Sequence, residues 1–538
     1  MTLAATVWFS LLGYRDLIEP DEGRYAEIPR EMVASGDWLT PRINGFKYFE
    51  KPALQYWATA ASFSIFGESN ATARLWTALI GFFGTLWTGF VAYRLYGRNA
   101  GFFAFVISVS SFLYAMLGHI ITLDMTVTVC LAVGIGSLVL AQSQREQPAQ
   151  ERNWMLLAWA ALGLATLAKG LIGIVLPGGA VVAYMLWQRD WQLLKHMHLG
   201  KGLLIFFAVT TPWFVAVSIK NPEFAHFFFI HEHFERFTTN VHHREGAPWY
   251  FVPILLLGVL PWLTVTVASL ARPSFAWWNK QSGGFDAERF LWVFALVIFV
   301  FFSAGHSKLP AYILPIFPAL AILAGRRLAN AQHNRVDAWF TGLFALTFLV
   351  AAWQAPRFAS EHIPAELYIA YRPWLFAAAG VLGFSAVLMY RATLQRMHFF
   401  AAAGIAALLA FQLAGWGFQT LAESRSSRLM ADAITRAAPP DVPLYVVGTY
   451  YPQSLPFYLH RTITLVAFKG ELEMGIDLEP HKWIASPADF YPLWEKETQA
   501  IAVFDQAGFA EFRKLNLPMK IIYENARRIA VLKQEAKQ

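Results

Sequence analysis

A dense polar stretch, residues 19–57, interrupts an otherwise apolar chain near its start. It opens Glu19-Pro20-Asp21-Glu22-Gly23-Arg24-Tyr25-Ala26-Glu27 and closes with Tyr48-Phe49-Glu50-Lys51-Pro52 and the aromatic pair Tyr56-Trp57. Carboxylates here could bind a cation, orient sugar groups or serve as a general base, and Asp21 is the first candidate. Asp124 is the second. It lies in His119-Ile120-Ile121-Thr122-Leu123-Asp124 among apolar residues, where burying an ionisable group is costly and points to function. The bland alternative makes Asp21 a helix N-cap ahead of Glu22, with Arg24 and Glu27 in solvated helix pairs. Lys51, Lys169, Arg236 and Lys308 come from four separate segments. Convergent bases suit a phosphate, with Arg able to engage two oxygens at once. Their bland reading is anchoring to anionic lipid heads. His231-Glu232-His233 looks like a fragment of a metal site that Glu50 could join, although it lacks the His-Glu-x-x-His spacing of zinc peptidases. Further histidines, His242, His243 and His306, lie in the same set of segments.

The elements that must position these groups are membrane helices. Of 538 residues, 56% are hydrophobic and 15% charged, well below the roughly 25% charge of soluble domains. Apolar runs of bilayer length fall at 2–14, 71–93, 101–117, 122–141, 154–168, 171–187, 203–219, 250–270, 290–304, 309–324, 338–353, 374–390 and 399–418. About thirteen spans are therefore expected, the pair meeting at Lys169-Gly170 being readable also as one kinked element. The run 2–14 lacks a basic leader and a cleavage site, so it reads as a short first membrane helix. Alternate loops carry Arg94, Arg98, Arg145, Arg152, Arg189, Lys195, Lys201, Arg272, Arg326, Arg327, Arg391 and Arg396, and the positive-inside rule makes those loops cytoplasmic. The formal charge of +7 is then partly topology rather than a nucleic-acid footprint. The large loops 15–70 and 220–249 and the C-terminus fall on the outer side, and with them every candidate above. The aromatic run 227–230 reads as an interfacial insertion. The single cysteine, Cys130, permits no internal disulfide.

After residue 419 the composition changes. A helix over 428–437, Pro439-Pro440, and short apolar runs at 443–447, 463–467, 500–504, 520–523 and 529–532 predict a water-soluble α/β domain over 420–538, beside a membrane catalytic domain over 1–419. No glycine-rich phosphate loop is present, so a nucleotide cofactor has no support.

The run from Glu19 to Trp38, together with Tyr48-Phe49-Glu50-Lys51-Pro52, closely resembles the first periplasmic loop of bacterial aminoarabinose transferases. These are lipid A glycosyltransferases related to protein mannosyltransferases, and they share the C-type glycosyltransferase membrane fold. His306-Ser307-Lys308-Leu309-Pro310-Ala311-Tyr312 looks like a second family motif. One minor departure is Ala53, where many relatives have a second proline after the Lys-Pro pair.

The resemblance implies transfer of 4-amino-4-deoxy-L-arabinose from undecaprenyl phosphate to a lipid A phosphate. It implies an inner-membrane enzyme with a periplasmic active site, acting as a monomer and conferring resistance to polymyxin and cationic peptides. It assigns Asp21 and Asp124 to the family's acidic positions. Lys51, Arg236 and Tyr312 fall on positions for the carrier phosphate, with Arg24, Tyr48 and Lys169 lining the same cavity. Glu50 and His231 fall on a metal pair, with zinc as the expected ion. Two rival readings remain open: a related transferase for a hexosamine or hexose, and a lipid flippase. Clustering of the charges at one membrane face argues against transport, which tends to place them at the midplane.

Overall fold

The computed structural model describes residues 1–235, 246–273, 284–330 and 335–533. Eight helices among them are long and apolar enough to cross a membrane: Asn70–Tyr96, Leu123–Gln142, Leu199–Lys220, Ala287–Ala304, Pro310–Asn330, Val336–Phe358, Ala365–Arg391 and Leu394–Arg425. The other five expected spans are shorter, broken or less apolar. The run 2–14 yields only helix α1 (Thr2–Phe9). The run 154–168 sits in a helix, Pro148–Lys169, whose first turns carry Gln150, Glu151, Arg152 and Asn153. The run 171–187 makes a 17-residue helix, Ile172–Gln188.

The two remaining runs are interrupted, and their interruptions meet. Run 101–117 divides at Ser111 into Arg98–Ser110 and Phe112–Leu117. Run 250–270 divides at Pro261 into Phe251–Gly258 and Leu263–Ala271. In a bilayer a freed backbone group must find a partner inside the protein. The Phe112 amide donates to the Leu260 carbonyl at 2.9 Å, and the Trp262 indole N–H donates to the Ser110 hydroxyl at 2.9 Å. Asp337 accepts from the Thr264 amide at 2.6 Å, capping the second half of the broken span.

The pair meeting at Lys169-Gly170 is two helices, not one kinked element. Gly170 takes φ +83°, and the chain folds back so tightly that a Cβ on Gly173 would lie 2.4 Å from the Thr166 amide nitrogen.

The first loop is built of helix α2 (Asp21–Ser35), the hairpin β1 (Arg42–Ile43) and β2 (Phe46–Lys47), and helix α3 (Leu54–Phe66). Asn44-Gly45, with φ of 52° and 76°, makes the tight hairpin turn. The C-terminal domain carries a six-stranded sheet: β3 (Leu444–Val447), β4 (Thr464–Val466), β5 (Trp483–Ile484), β6 (Ile501–Asp505), β7 (Met519–Glu524) and β8 (Arg528–Lys533). Their spatial order is β5-β4-β3-β6-β8-β7, with β8 antiparallel to both its neighbours and the other pairings parallel.

Strand alternation explains how this domain docks. Tyr445 and Val447 face the domain's own core with Phe490, Trp494 and Phe512. Leu444 and Val446 point the other way and share one cluster with Tyr25, Ile28, Met32, Ile43 and Phe46 of the first loop. The domain and the loop therefore bury one hydrophobic core between them.

Helix α2 is charged, yet most of its length is buried, so each charge needs a partner. Glu22 accepts from Arg74 Nε and Nη2, each at 2.8 Å, from Arg15 at 3.3 Å, and from the amides of Ile18 and Ile121. Glu27 takes two 2.6 Å bonds from Arg30, so it is not one of the solvated pairs expected of this helix. Glu19 accepts from Arg528, Tyr450, Ser427 and Ser454 of the C-terminal domain.

Burial alone would push the Glu22 carboxyl up, but Arg15, Arg74 and the hydrogen bonds outweigh it and hold the group at about 2. Glu22→Gln leaves two arginines without their counter-charge. It is expected to destabilise the protein by about 3–5 kcal/mol, read as a lowered thermal midpoint in detergent. Because the folded value is depressed, the stabilisation from Glu22 is fully present above the ordinary carboxylate value of 4.5 and is lost as pH falls toward about 2. The variant should therefore lose less stability than the wild type across that window.

Candidate active site

A cavity of about 940 Å³ opens at the charged end of the helix bundle, a size typical of small-molecule sites. Six segments wall it: the start of α2, the Glu50-Lys51 turn, the start of Leu123–Gln142, the end of Pro148–Lys169, the segment His226–Glu235, and the C-terminal domain at 470–478. Leu309 and Tyr312 close it beside Lys169.

Asp21 stands in the first turn of α2 with its side chain 54% exposed. The helix begins at Asp21 itself, with Pro20 in the capping position and no side-chain cap bond, so the N-cap reading of Asp21 fails. Arg24, one turn on, is buried in the cavity wall rather than solvated. Its Nη1 donates to the Tyr48 hydroxyl at 3.2 Å and its Nε to Gln453 Oε1 at 3.3 Å. Its Nη2 lies 3.9 Å from Asp21 and 3.8 Å from Glu471. Tyr48 is wholly buried behind Arg24, and burial raises its hydroxyl well above the ordinary value.

Lys51 donates to Glu232 Oε2 at 3.1 Å and to the Glu50 carbonyl at 2.7 Å, with the Glu50 carboxylate 3.9 Å away. Asp124, in the first turn of its helix, accepts from the Lys169 ammonium. That ammonium also sits 5.0 Å from the centroid of the Tyr312 ring, a cation–π contact that further fixes it.

The structure thus brings Asp21, Arg24, Glu50, Lys51, Asp124, Lys169, His231 and Tyr312 to one cavity, with Tyr48 directly behind. Lys308 is placed elsewhere. Its ammonium donates to the carbonyls of Ser303 and Gly305, capping the end of Ala287–Ala304, and it is not on the cavity wall. Arg236, His242 and His243 lie outside the described residues, as do the side chains of His233 and Glu235.

Sequence reasoning passed over three contributors. Glu232 lies between two histidines, and nothing in that context marks it as the partner of Lys51. Glu471 and Gln453 come from the C-terminal domain, more than 400 residues from the loop they meet, and no local pattern marks them. Glu471 is raised by burial, with Arg24 opposing and Glu50 and Asp21 adding to the rise.

Glu50 and His231 offer one oxygen and one nitrogen donor on the same wall, and the His231 ring stacks on Phe227 at 5.1 Å. Among the described residues no group of three His, Cys, Asp or Glu is placed to hold a metal. Glu50 and His231 are the residues that could hold a metal ion.

Charge in the cavity is mixed. Arg24, Lys51 and Lys169 supply cations, while Asp21, Glu50, Asp124, Glu232, Glu471, Glu473 and Asp477 supply carboxylates. Lysines pre-paired with carboxylates are held in place without being permanently neutralised. An incoming phosphate can share them, and the surplus acids suit a substrate that also carries a positive group.

A polytopic helical bundle with a charged cavity under a small α/β domain is the architecture of a membrane glycosyltransferase, and the comparisons with known proteins agree. Residues 1–228 match the dolichyl-phosphate-mannose-protein mannosyltransferase model, and residues 430–533 match the aminoarabinose transferase C-terminal domain. An archaeal oligosaccharyltransferase, AglB from Archaeoglobus fulgidus, shares the fold at 12% identity (TM-score 0.52, 94% of this chain and 68% of that one).

The closer likenesses are more specific. The crystal structure of ArnT from Cupriavidus metallidurans bound to undecaprenyl phosphate matches with a TM-score of 0.90 at 34% identity, over 99% of this chain and 96% of that one. The undecaprenyl phosphate-α-4-amino-4-deoxy-L-arabinose arabinosyl transferase of Shewanella sediminis is 30% identical over 95% of this chain and 92% of its own length. That of Erwinia tasmaniensis is 28% identical over 93% and 84%. The chain belongs to the aminoarabinose transferase family.

If Lys51 and the Asp124–Lys169 pair form the reacting centre, Lys51→Ala and Asp124→Asn will each lower kcat by about 10²–10³. Thermal midpoints should stay near wild type. Initial rates of sugar transfer by purified protein in detergent test this.

Proposed function

We propose that this chain moves 4-amino-4-deoxy-L-arabinose from undecaprenyl phosphate to a phosphate of lipid A at the periplasmic face of the bacterial inner membrane. The observation that carries the reading is the cavity itself, in which Arg24, Lys51 and Lys169 share one space with an excess of carboxylates. The donor presents a phosphate and, on its sugar, an amine, and both find opposite charge there. Relatives matched over most of their length are named undecaprenyl phosphate-α-4-amino-4-deoxy-L-arabinose arabinosyl transferases.

In the proposed reaction an oxygen of the acceptor phosphate attacks the sugar's anomeric carbon. The bond from that carbon to the carrier phosphate breaks, and its electron pair leaves with undecaprenyl phosphate. The acceptor phosphate is already ionised near neutral pH, so strong base catalysis is unnecessary. The harder task is to hold two anions together and to stabilise the charge that grows on the departing phosphate. Lys51 meets that charge, with the Tyr312 hydroxyl as a further donor, while Arg24 binds the donor phosphate before and during the transfer. Lys169 stands beside them, and its bond keeps Asp124 aimed into the cavity. Asp21 and Asp124 balance positive character on the sugar and its amine. A divalent ion held by Glu50 and His231 would add positive charge against the same phosphate.

The product lowers the negative charge of lipid A, and resistance to polymyxin and cationic peptides follows from that.

Mass spectrometry of lipid A from cells with and without this protein tests the reading. A gain of one aminopentose is expected, together with raised polymyxin resistance. A hexosamine or hexose mass, or an unchanged lipid A, would overturn it.

A further inference from the structure

Arg24 has a carboxylate on each side of its Nη2 yet closes on neither. Asp21 stands at 3.9 Å and Glu471 at 3.8 Å, both beyond hydrogen-bond reach. The amide of Gln453 bridges Arg24 and Glu471. Its Oε1 accepts from Arg24 Nε at 3.3 Å, and its Nε2 donates to Glu471 Oε1. A guanidinium can only donate and an ionised carboxylate can only accept. A side-chain amide, with one acceptor end and one donor end, satisfies both at once.

Gln453 has little room to do otherwise. It is 4% exposed, and the strand of chain that carries it is held from three sides. The Ser454 amide and hydroxyl both donate to Glu19, at 3.1 and 2.5 Å. The Ser427 amide donates to the Ser454 hydroxyl at 2.9 Å. On the third side this backbone lies directly on α2, where a Cβ at Gly23 would come within 2.6 Å of the Ser454 nitrogen and 2.7 Å of the Gln453 carbonyl carbon. Gly23 lets the C-terminal domain approach closely enough to place an amide against Arg24, its immediate neighbour in sequence.

We propose that Gln453 is a positioning residue for Arg24. It wedges beside the guanidinium and Glu471, keeps them at 3.8 Å and short of a direct hydrogen bond, and leaves Nη2 at the cavity for the donor phosphate. This deepens the proposed function and rests on its placement of Arg24 against that phosphate. It also makes the C-terminal domain part of the donor site and not merely a cover over it.

A double-mutant cycle on the purified full-length protein tests the proposal, using initial rates against undecaprenyl phosphate-linked aminoarabinose. Gln453→Met keeps the length and removes both hydrogen bonds. It is expected to raise the donor KM roughly tenfold, the size of one hydrogen bond to a charged group, with kcat within about twofold and an unchanged thermal midpoint. Arg24→Met should raise KM further, and the double variant should match Arg24→Met alone, because Gln453 acts only through Arg24. Effects that multiply in the double variant overturn the proposal. Gln453→Glu keeps an acceptor toward Arg24 and can share one proton with Glu471, so its KM should stay within about threefold of wild type. A KM as poor as that of Gln453→Met would overturn the wedge, and this variant carries the test should Gln453→Met not fold. If Arg24→Met leaves the donor KM unchanged while transfer continues, Arg24 does not meet the donor phosphate. The inference then falls while the assigned reaction stands.

Discussion

The ion pair between Glu22 and Arg74 is the constraint on which the site rests. Arg74 belongs to a membrane-spanning helix and Glu22 to a helix of the first loop, and both are almost fully buried. A charge so placed tolerates only one geometry, because any displacement leaves it desolvated and unpaired. The pair therefore registers α2 against the bundle. Asp21 precedes Glu22 directly, and Arg24 follows one glycine later. Their positions relative to Asp124 and Lys169, which the bundle carries, follow from that registration. Three residues before Glu22, Glu19 does the same toward the C-terminal domain through Arg528. One short stretch of chain is thus pinned on two sides by buried carboxylates, and the residues between the pins face the cavity.

How much of this could be read in the sequence depended on whether the cause was local. The C-terminal strands sit where short apolar runs predicted them, and the helix 428–437 is matched to the residue. Each is a compact run between polar or proline boundaries. Strand β5, of two residues, is too short to leave such a trace. Membrane runs were found wherever hydropathy was continuous, but their interruptions were not. The breaks at Ser111 and Pro261 are tolerated only because each supplies what the other lacks, and that complementarity is not local.

The site divides along the same line. Asp124, Lys169 and Lys51 stood out because charge is rare in so apolar a chain, and the cavity collects them. Lys308 stood out equally, yet its ammonium caps helix carbonyls away from the cavity wall, and the two kinds of lysine look alike in sequence. Glu471 and Gln453 were invisible for the opposite reason. They lie in an ordinary polar domain, where one more glutamate or glutamine raises no question until the fold sets it beside Arg24.

The Glu19–Arg528 pair also constrains how the protein comes into being. Its two members are 509 residues apart in the chain. At ordinary synthesis rates the ribosome needs on the order of half a minute or more to travel from one to the other. Throughout that interval the first loop has left the ribosome, but its buried carboxylate has no counter-charge and the face of α2 that the last domain will cover is wet. The catalytic cavity cannot be finished early and kept waiting. Its completion coincides with the arrival of strand β8, so a nascent or C-terminally clipped chain would sit in the membrane with its helices inserted and its active site open on one side.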